Sequence, residues 1–215
     1  MSGRGGGDPD AMALKLASLL AQYPDEAILA AREEILAAAD GLPQGPRAAG
    51  IRRFLRHWSE TSGEALAAEY VETFDLHRRT SPYLTYHVYG DTRQRGMAMV
   101  RLRRLYAAAG MDLQTHELPD HLPIVLEFAA FAPSGYGAAV LRELRPSLEL
   151  MRQALRDRGS PYADLLDAVC DGLPRMSPSE WGAVRRLAAE GPPVERVGLE
   201  PFAPPEVVSG EGARP

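Results

Sequence analysis

Several features are scarce in this sequence, and each absence excludes a class of protein. The 215 residues contain one cysteine, Cys170, which excludes an internal disulfide and a zinc site built on two or four cysteines. No apolar run approaches the roughly 18 to 20 residues that cross a bilayer, and the N-terminus has no apolar stretch of signal-peptide length. The sequence therefore predicts a cytoplasmic protein that does not insert into a membrane.

Lysine is also nearly absent, because Lys15 is the only one and the other basic side chains are arginines. The net charge of −5 argues against a surface built to neutralise nucleic-acid phosphates. One arginine-rich stretch permits a phosphate-binding helix, but a solvated helix face is the favoured interpretation; its members are Arg93, Arg95, Arg101, Arg103 and Arg104. We expect no nucleic-acid partner.

The chain lacks alternating valine- or isoleucine-rich segments, and its apolar residues recur at helical spacing instead. Hydrophobic residues make up 45% and charged residues 25%, which is typical of a globular protein. We predict an all-α fold, a single-domain helical bundle over 10–190. A glycine-rich, disordered N-terminus at 1–9 and a Pro/Gly-rich tail at 191–215 flank it.

Start and stop signals place the individual helices. The segment 121–131 is apolar on all sides except at Glu127, so it predicts the central helix, with Asp120 as its N-cap. The predicted helices are 10–23, 25–40, one beginning at Pro46, one after a Thr61/Glu64 capping box, 91–109, 121–131, 136–157, 161–173, and one from a Ser177/Glu180 capping box to about 190.

The segment THELPDHLP is the best candidate for a metal site or a hydrolytic site. Its histidines, His116 and His121, are five positions apart and Pro119 lies between them, whereas a metalloprotease helix needs histidines at i and i+4. A metal-dependent hydrolase using His116, Glu117 and His121 therefore stays only as the alternative function. We predict no catalytic residue, no metal and no cofactor, and we expect Cys170 to be a small core residue.

Aromatic side chains are concentrated in one region, which contains Tyr70, Phe74, Pro82, Tyr83, Tyr86, His87 and Tyr89. Tyrosines have an apolar face and a polar tip, so they suit a half-exposed groove that holds a peptide. They suit ordinary packing between helices equally well. The residue types alone leave both interpretations open.

Three stretches of this chain resemble the NarJ family, the nitrate reductase molybdenum cofactor assembly chaperones or delta subunits. They read LLAQYPDE, FDLHRRTSPYLTYHVYGDTRQRGMAMV and ELPDHLP. The resemblance covers roughly residues 14–173 and extends to the TorD and DmsD group of redox-enzyme maturation chaperones. It implies an all-helical, cytoplasmic, non-enzymatic chaperone of the TorD-like type. Such proteins bind the catalytic (alpha) subunit of respiratory nitrate reductase and hold it competent for cofactor insertion before membrane attachment.

The same resemblance implies a hydrophobic groove for the N-terminal segment of that catalytic subunit. The family's groove positions and its E-x-P-D-H motif, together with Tyr86 from the aromatic region, select Tyr70, Phe74, Pro82, Tyr83, Tyr86, His87, Glu117, Pro119, Asp120 and His121. Relatives that bind intact twin-arginine signal peptides often have tryptophan at the positions where this chain has Tyr83 and His87. We expect Asp120 and His121 to make polar contacts at the groove rim, with affinity changing between about pH 6 and 8. We expect a monomer or a weak homodimer.

Overall fold

A computed structural model describes residues 9–133 and 135–193, and the all-α prediction is confirmed there. The only β pairing in these residues is one antiparallel bridge between Tyr83 and His121. A π-helical turn (Val71–Asp75) and a 3₁₀ turn (Arg78–Thr80) precede α6. The α-helices of the described residues are α1 (Pro9–Leu20), α2 (Glu26–Ala30), α3 (Arg32–Asp40), α4 (Pro46–Glu60), α5 (Gly63–Tyr70), α6 (Leu84–Tyr89), α7 (Arg93–Ala108), α8 (Leu122–Phe131), α9 (Tyr136–Glu143), α10 (Arg145–Asp157), α11 (Tyr162–Asp171) and α12 (Pro178–Glu190).

Residues 1–8 and 194–215, on which most of the two predicted tails fall, lie outside the described residues. Across 9–133 and 135–193, no helix combines the length and the hydropathy that crossing a bilayer requires.

Two helix pairs have the most extensive contacts: α1 lies along α8, and α4 lies along α11. The helix α8 is buried along most of its length, as its composition predicts, and Lys15 of α1 forms an ion pair with Glu127 at 2.5 Å. The far end of α8 reaches the surface, where Phe131 is 58% exposed. The helix α10 contacts α11, α6 and α12, so it links the core to the region around α6.

A cluster of aromatic rings fills the space between α4, α5 and α11. The ring centroids of Tyr70 and Phe74 are 4.7 Å apart, and those of Phe74 and Tyr162 are also 4.7 Å apart. Phe54 completes the cluster at 4.9 Å from Tyr162. These tilted and edge-on arrangements are the favourable geometries for ring pairs, so the cluster fixes the π-helical turn against the core.

Two long predicted helices are each divided in two. The segment 25–40 breaks at Ala31 into α2 and α3, and 136–157 breaks at Leu144 into α9 and α10. Neither break falls at a glycine or a proline, although Pro146 lies in the first turn of α10. The apolar spacing continues across both breaks, so the pattern alone does not reveal them.

Three predicted helix starts have different outcomes. The capping box of Ser177 and Glu180 is confirmed. The Thr61 cap is wrong by one residue, because the Ser62 hydroxyl accepts the amide of Ala65, while Thr61 donates back to a carbonyl of α4. The Asp120 cap is also wrong, because His121 occupies the N-cap position of α8 and the Asp120 carboxylate turns to another helix.

The contact between α4 and α11 is close enough to require glycine at position 50. A Cβ there would lie 2.7 Å from the carbonyl oxygen of Asp164 and 2.9 Å from the Cβ of Ala168. Both of those atoms belong to α11, which is itself packed into the core, so neither moves freely.

We expect Gly50→Ala to lower the free energy of unfolding by about 1–3 kcal/mol, because the added methyl forces the two helices apart. Gly96→Ala is the matched control, since Gly96 also lies within a helix and a Cβ there meets nothing within 4 Å. That control should be neutral or stabilising by up to about 1 kcal/mol. Urea denaturation checks both, and equal stability of the two variants would contradict the close contact.

Candidate functional site

Two loops that are distant in sequence pair at the start of α6. The amide of Leu84 donates to the carbonyl of Asp120 at 3.0 Å, and the amide of Leu122 donates to the carbonyl of Pro82 at 2.8 Å. These two bonds lie on either side of Tyr83 and His121. Tyr83 and His121 are therefore a non-hydrogen-bonded pair of the antiparallel bridge. Side chains in such a pair lie closer together than in the hydrogen-bonded kind.

The side chain of Asp120 reinforces this pairing from inside the protein. Its Oδ2 accepts the amide of Thr85 at 3.1 Å and the Thr85 hydroxyl as well, so it caps the first turn of α6. Asp120 is fully buried, and among the described residues its Oδ1 has no hydrogen-bond partner. The nearest guanidinium nitrogen, Nη2 of Arg95, is 4.0 Å from Oδ2.

The loop pairing brings three polar side chains of the predicted site together. The rings of Tyr83 and His121 have centroids 5.3 Å apart, and the Tyr83 hydroxyl donates to Oε1 of Glu117 at 3.1 Å. Burial, and then the Glu117 charge, raises the pKa of Tyr83. Burial lowers the pKa of His121 below its usual 6.5, and the neighbouring carboxylates only partly oppose this. The imidazole is therefore neutral at pH 7.

Tyr83 forms one wall of a surface cleft of about 310 Å³ between the π-helical turn, α6 and the start of α7. We call it the tyrosine cleft. Its two tyrosine rings are half-exposed, Phe74 and Pro82 are buried, and the other lining side chains are polar and of both charges. The lining residues are Phe74, Asp75, His77, Arg78, Ser81, Pro82, Tyr83, Tyr86, Asp91 and Arg95.

Arg95 organises the α7 side of the tyrosine cleft. Its Nη1 is 3.1 Å from a carboxylate oxygen of Asp91, and its guanidinium lies 5.8 Å from the ring centroid of Tyr86. The side chain is only 18% exposed, so the prediction of a solvated face is wrong for this arginine. It holds elsewhere on α7, where Arg103 and Arg104 are exposed and Arg101, also exposed, pairs with Glu143.

The structure divides the ten predicted site residues into three groups. Those that line the tyrosine cleft are Phe74, Pro82, Tyr83 and Tyr86. Those that contact Tyr83 beside the cleft are Glu117 and His121. Those buried behind it are Tyr70, His87, Pro119 and Asp120.

His87 supports the cleft from within. Its Nε2 donates to the carbonyl of Ser81 at 2.8 Å, and burial lowers the pKa of this histidine to about 4, so the ring is neutral at pH 7. The Pro119 carbonyl accepts the Tyr106 hydroxyl at 2.7 Å. These two residues fix the loops that carry Pro82 and Asp120, which is a positioning task.

Sequence reasoning missed most of the polar lining, namely Asp75, His77, Arg78, Ser81, Asp91 and Arg95. Arg95 and Asp91 stand at the i and i+4 spacing of an ion pair, and that spacing is the one signal that places them together. The others have no detectable pattern, because they reach the cleft only through the π-helical and 3₁₀ turns.

The geometry does not assemble the alternative hydrolytic site. His116 is exposed, and the Glu117 carboxylate is engaged by the Tyr83 hydroxyl and by the amide of Leu118. Over residues 9–133 and 135–193, no group of three or more His, Cys, Asp and Glu side chains is placed to hold a metal ion. Cys170 is fully buried, and burial raises the pKa of its thiol to about 12, as expected for a core residue.

Comparison with known proteins identifies the family. The model of the nitrate reductase delta subunit family matches residues 39–168. The nitrate reductase molybdenum cofactor assembly chaperone NarJ of Escherichia coli K12 is 39% identical over 158 residues, which cover 72% of this chain. The matched region is 66% of the E. coli protein, so the chain spans a little under two thirds of that relative's length.

Two further similarities agree with this result. A Bacillus subtilis protein named as a probable assembly chaperone NarJ is 34% identical over 76% of this chain and 89% of its own length. The crystal structure of a candidate redox enzyme maturation protein from Archaeoglobus fulgidus has the same fold, with a TM-score of 0.56 over 80% of this chain and 94% of that one, at 24% identity. These relatives are named as chaperones or maturation proteins and lend no support to a hydrolase. The chain belongs to the nitrate reductase delta subunit family.

Proposed function

We propose that this protein is an assembly chaperone for respiratory nitrate reductase. It binds the N-terminal segment of the molybdenum-containing catalytic subunit in the tyrosine cleft. It holds that subunit competent for cofactor insertion in the cytoplasm, before the subunit attaches to the membrane. The names of the NarJ relatives support the assembly role, and the half-exposed tyrosine pair at the cleft supports a peptide as the ligand.

The single observation that carries the proposal is the position of Tyr83. This side chain belongs to one of the three stretches that resemble the NarJ family, and it lines a cleft that is open to solvent. Tyrosine offers a large contact area with few rotatable bonds, so it gains binding energy at low entropic cost. A cleft of about 310 Å³ takes a few side chains of a peptide and is at the lower end of the size that small-ligand sites have.

The remaining lining favours binding over catalysis. Several side chains around Tyr83 are engaged with other groups: Glu117 accepts the phenol, Arg95 pairs with Asp91, and Oδ2 of Asp120 caps α6. A general base or nucleophile needs a partner that is free to exchange a proton with a substrate, and these pairs hold their groups in place. Preorganised anchors of this kind reduce the entropy that a binding surface loses.

We expect Tyr83→Ala to weaken binding of a synthetic peptide of the catalytic subunit's N-terminal segment by about 2 kcal/mol, roughly 30-fold, because the aromatic anchor is lost. Isothermal titration calorimetry with the full chain measures this. Phe131→Ala is the control, since Phe131 is an exposed ring on α8 outside the cleft lining. Equal affinities of Tyr83→Ala and the wild type would remove Tyr83 from the site.

Binding should also depend on pH in a direction set by His121. Its folded pKa already lies below 6.5, and a peptide that covers the Tyr83–His121 pair buries the ring further, which favours the neutral form. Affinity should therefore be constant from pH 7 to 8 and fall only at lower pH, as the pH passes through the lowered pKa of His121, a lower window than the sequence predicts. His121→Gln should remove this dependence, while His77→Gln, at the cleft but outside the pair, should retain it. An affinity that rises on acidification would exclude this role.

A further inference from the structure

A second cleft, of about 330 Å³, lies between α6, α10 and α12. We call it the α12 cleft. It shares Arg78 and Tyr86 with the tyrosine cleft, so one guanidinium and one half-exposed ring separate the two. The rest of its lining comprises Arg79, His87, Leu150, Gln153, Ala154, Asp157, Leu187, Ala188, Glu190, Gly191 and Pro192.

The α12 cleft differs from the tyrosine cleft in its chemistry. Its walls carry the apolar side chains of Leu150 and Ala154 from α10, and those of Leu187 and Ala188 from α12. An apolar trough between two helices is the form of site that takes the apolar face of an amphipathic segment. The tyrosine cleft is the more polar of the two, so together they offer an apolar and a polar compartment on either side of Tyr86.

The α12 wall packs against α10 but buries little of its own surface. Val184 is the one residue of α12 that is buried within the described part of the chain, and a hydrogen bond from Arg79 to the carbonyl of Ala188, 2.7 Å long, ties the helix to the 3₁₀ turn. Beyond α12, the backbone passes over Gly90, where a Cβ would lie 2.0 Å from the carbonyl oxygen of Pro193. Gly90 also has φ = 56°, so this crossing depends on glycine for two reasons.

We propose that the client segment crosses Tyr86 and occupies both clefts, with apolar side chains in the α12 cleft. This inference rests on the proposed function. It is supported by the continuity of the two clefts through Arg78 and Tyr86, and by the apolar walls of the second. The occupant is an amphipathic stretch of the same client chain, whose apolar residues recur at helical spacing. The α12 helix is then a part of the client site to which none of the ten predicted site residues belongs.

Two neighbouring alanines of α12 provide the test. Ala188 lines the α12 cleft, whereas Ala189 is exposed and lies outside the lining. Ala188→Trp fills the cleft and should weaken binding of the client peptide by roughly tenfold or more, while Ala189→Trp, with the same helix-propensity change, should bind within about twofold of the wild type. Calorimetry with the full chain measures both, and urea denaturation compares their stability.

A measurement on the wild type tests the inference without any substitution. The client peptide should slow amide hydrogen exchange in α12 as well as in α6, because both helices contact it. Protection confined to α6, or unchanged affinity in Ala188→Trp, would contradict occupation of the α12 cleft by the client. Neither result would contradict the proposed function. Absence of peptide binding to the wild type would refute the proposed function itself.

The third variant is a chain that ends at Pro193. If Ala188→Trp loses its effect in this shortened chain, the α12 cleft belongs to this chain's own residues 194–215 and the inference fails. Unchanged affinity of the shortened chain supports the client as occupant.

Discussion

The buried carboxylate of Asp120 joins two loops that are 35 residues apart in the sequence. It caps the first turn of α6 from outside that helix, and its own backbone carbonyl accepts the amide of Leu84. Hydrogen bonds to a charged group contribute about 1.5–3 kcal/mol each to stability, more than hydrogen bonds between neutral groups. A buried amide left without an acceptor would also destabilise the fold. Because Tyr83 precedes this turn and His121 follows Asp120, their ring pair exists only while the two loops stay paired. The Tyr83 side of the tyrosine cleft therefore depends on this loop pairing, which the Asp120 side chain reinforces.

Aromatic residues in this region divide into a set that packs in the core and a set that lines the proposed binding cleft, and the backbone conformation determines the set to which each belongs. Tyr70 and Phe74 follow each other at i and i+4 and enter the ring cluster around Tyr162, where both are buried. The π-helical turn that carries Phe74 then ends, and Leu76 is 63% exposed. Phe74 reaches both environments, since it packs on Tyr162 and also lines the cleft. The cleft therefore has a floor that the core holds rigid. Such π-helical turns inside helices are frequent at functional sites.

The sequence predicts the parts of this fold that depend on local patterns. Apolar periodicity identifies the all-helical class and the buried helix α8, and the Ser177–Glu180 spacing identifies the start of α12. It does not predict the role of Asp120, because a residue just before a helix is normally read as that helix's cap. Whether its carboxylate faces α8 or α6 is decided by the pairing of distant loops. The same limit applies to Asp75 and Ser81, which reach the cleft through turns that have no periodicity. The family resemblance identifies Tyr83 and His121 as predicted site residues. Residue type alone does not distinguish a peptide groove from ordinary packing between helices.

In the proposed client site, the wall shared by the two clefts allows a small surface to hold a client segment without a deep pocket. Tyr86 is held by the guanidinium of Arg95, which pairs with Asp91 and lies near Asp120, so the ring is ordered before any ligand arrives. Affinity depends on such preorganised anchors more than on the area buried, because ordering a loose side chain on binding costs about 0.5–1.5 kcal/mol. The α12 side packs against α10 but is less buried, since Val184 is the one buried residue of α12 within the described part of the chain, and a hydrogen bond from Arg79 ties it to the 3₁₀ turn. A site with one rigid wall and one lightly held wall can admit a helical segment from the side and release it again. An assembly chaperone needs both steps, because the client must leave once it is mature.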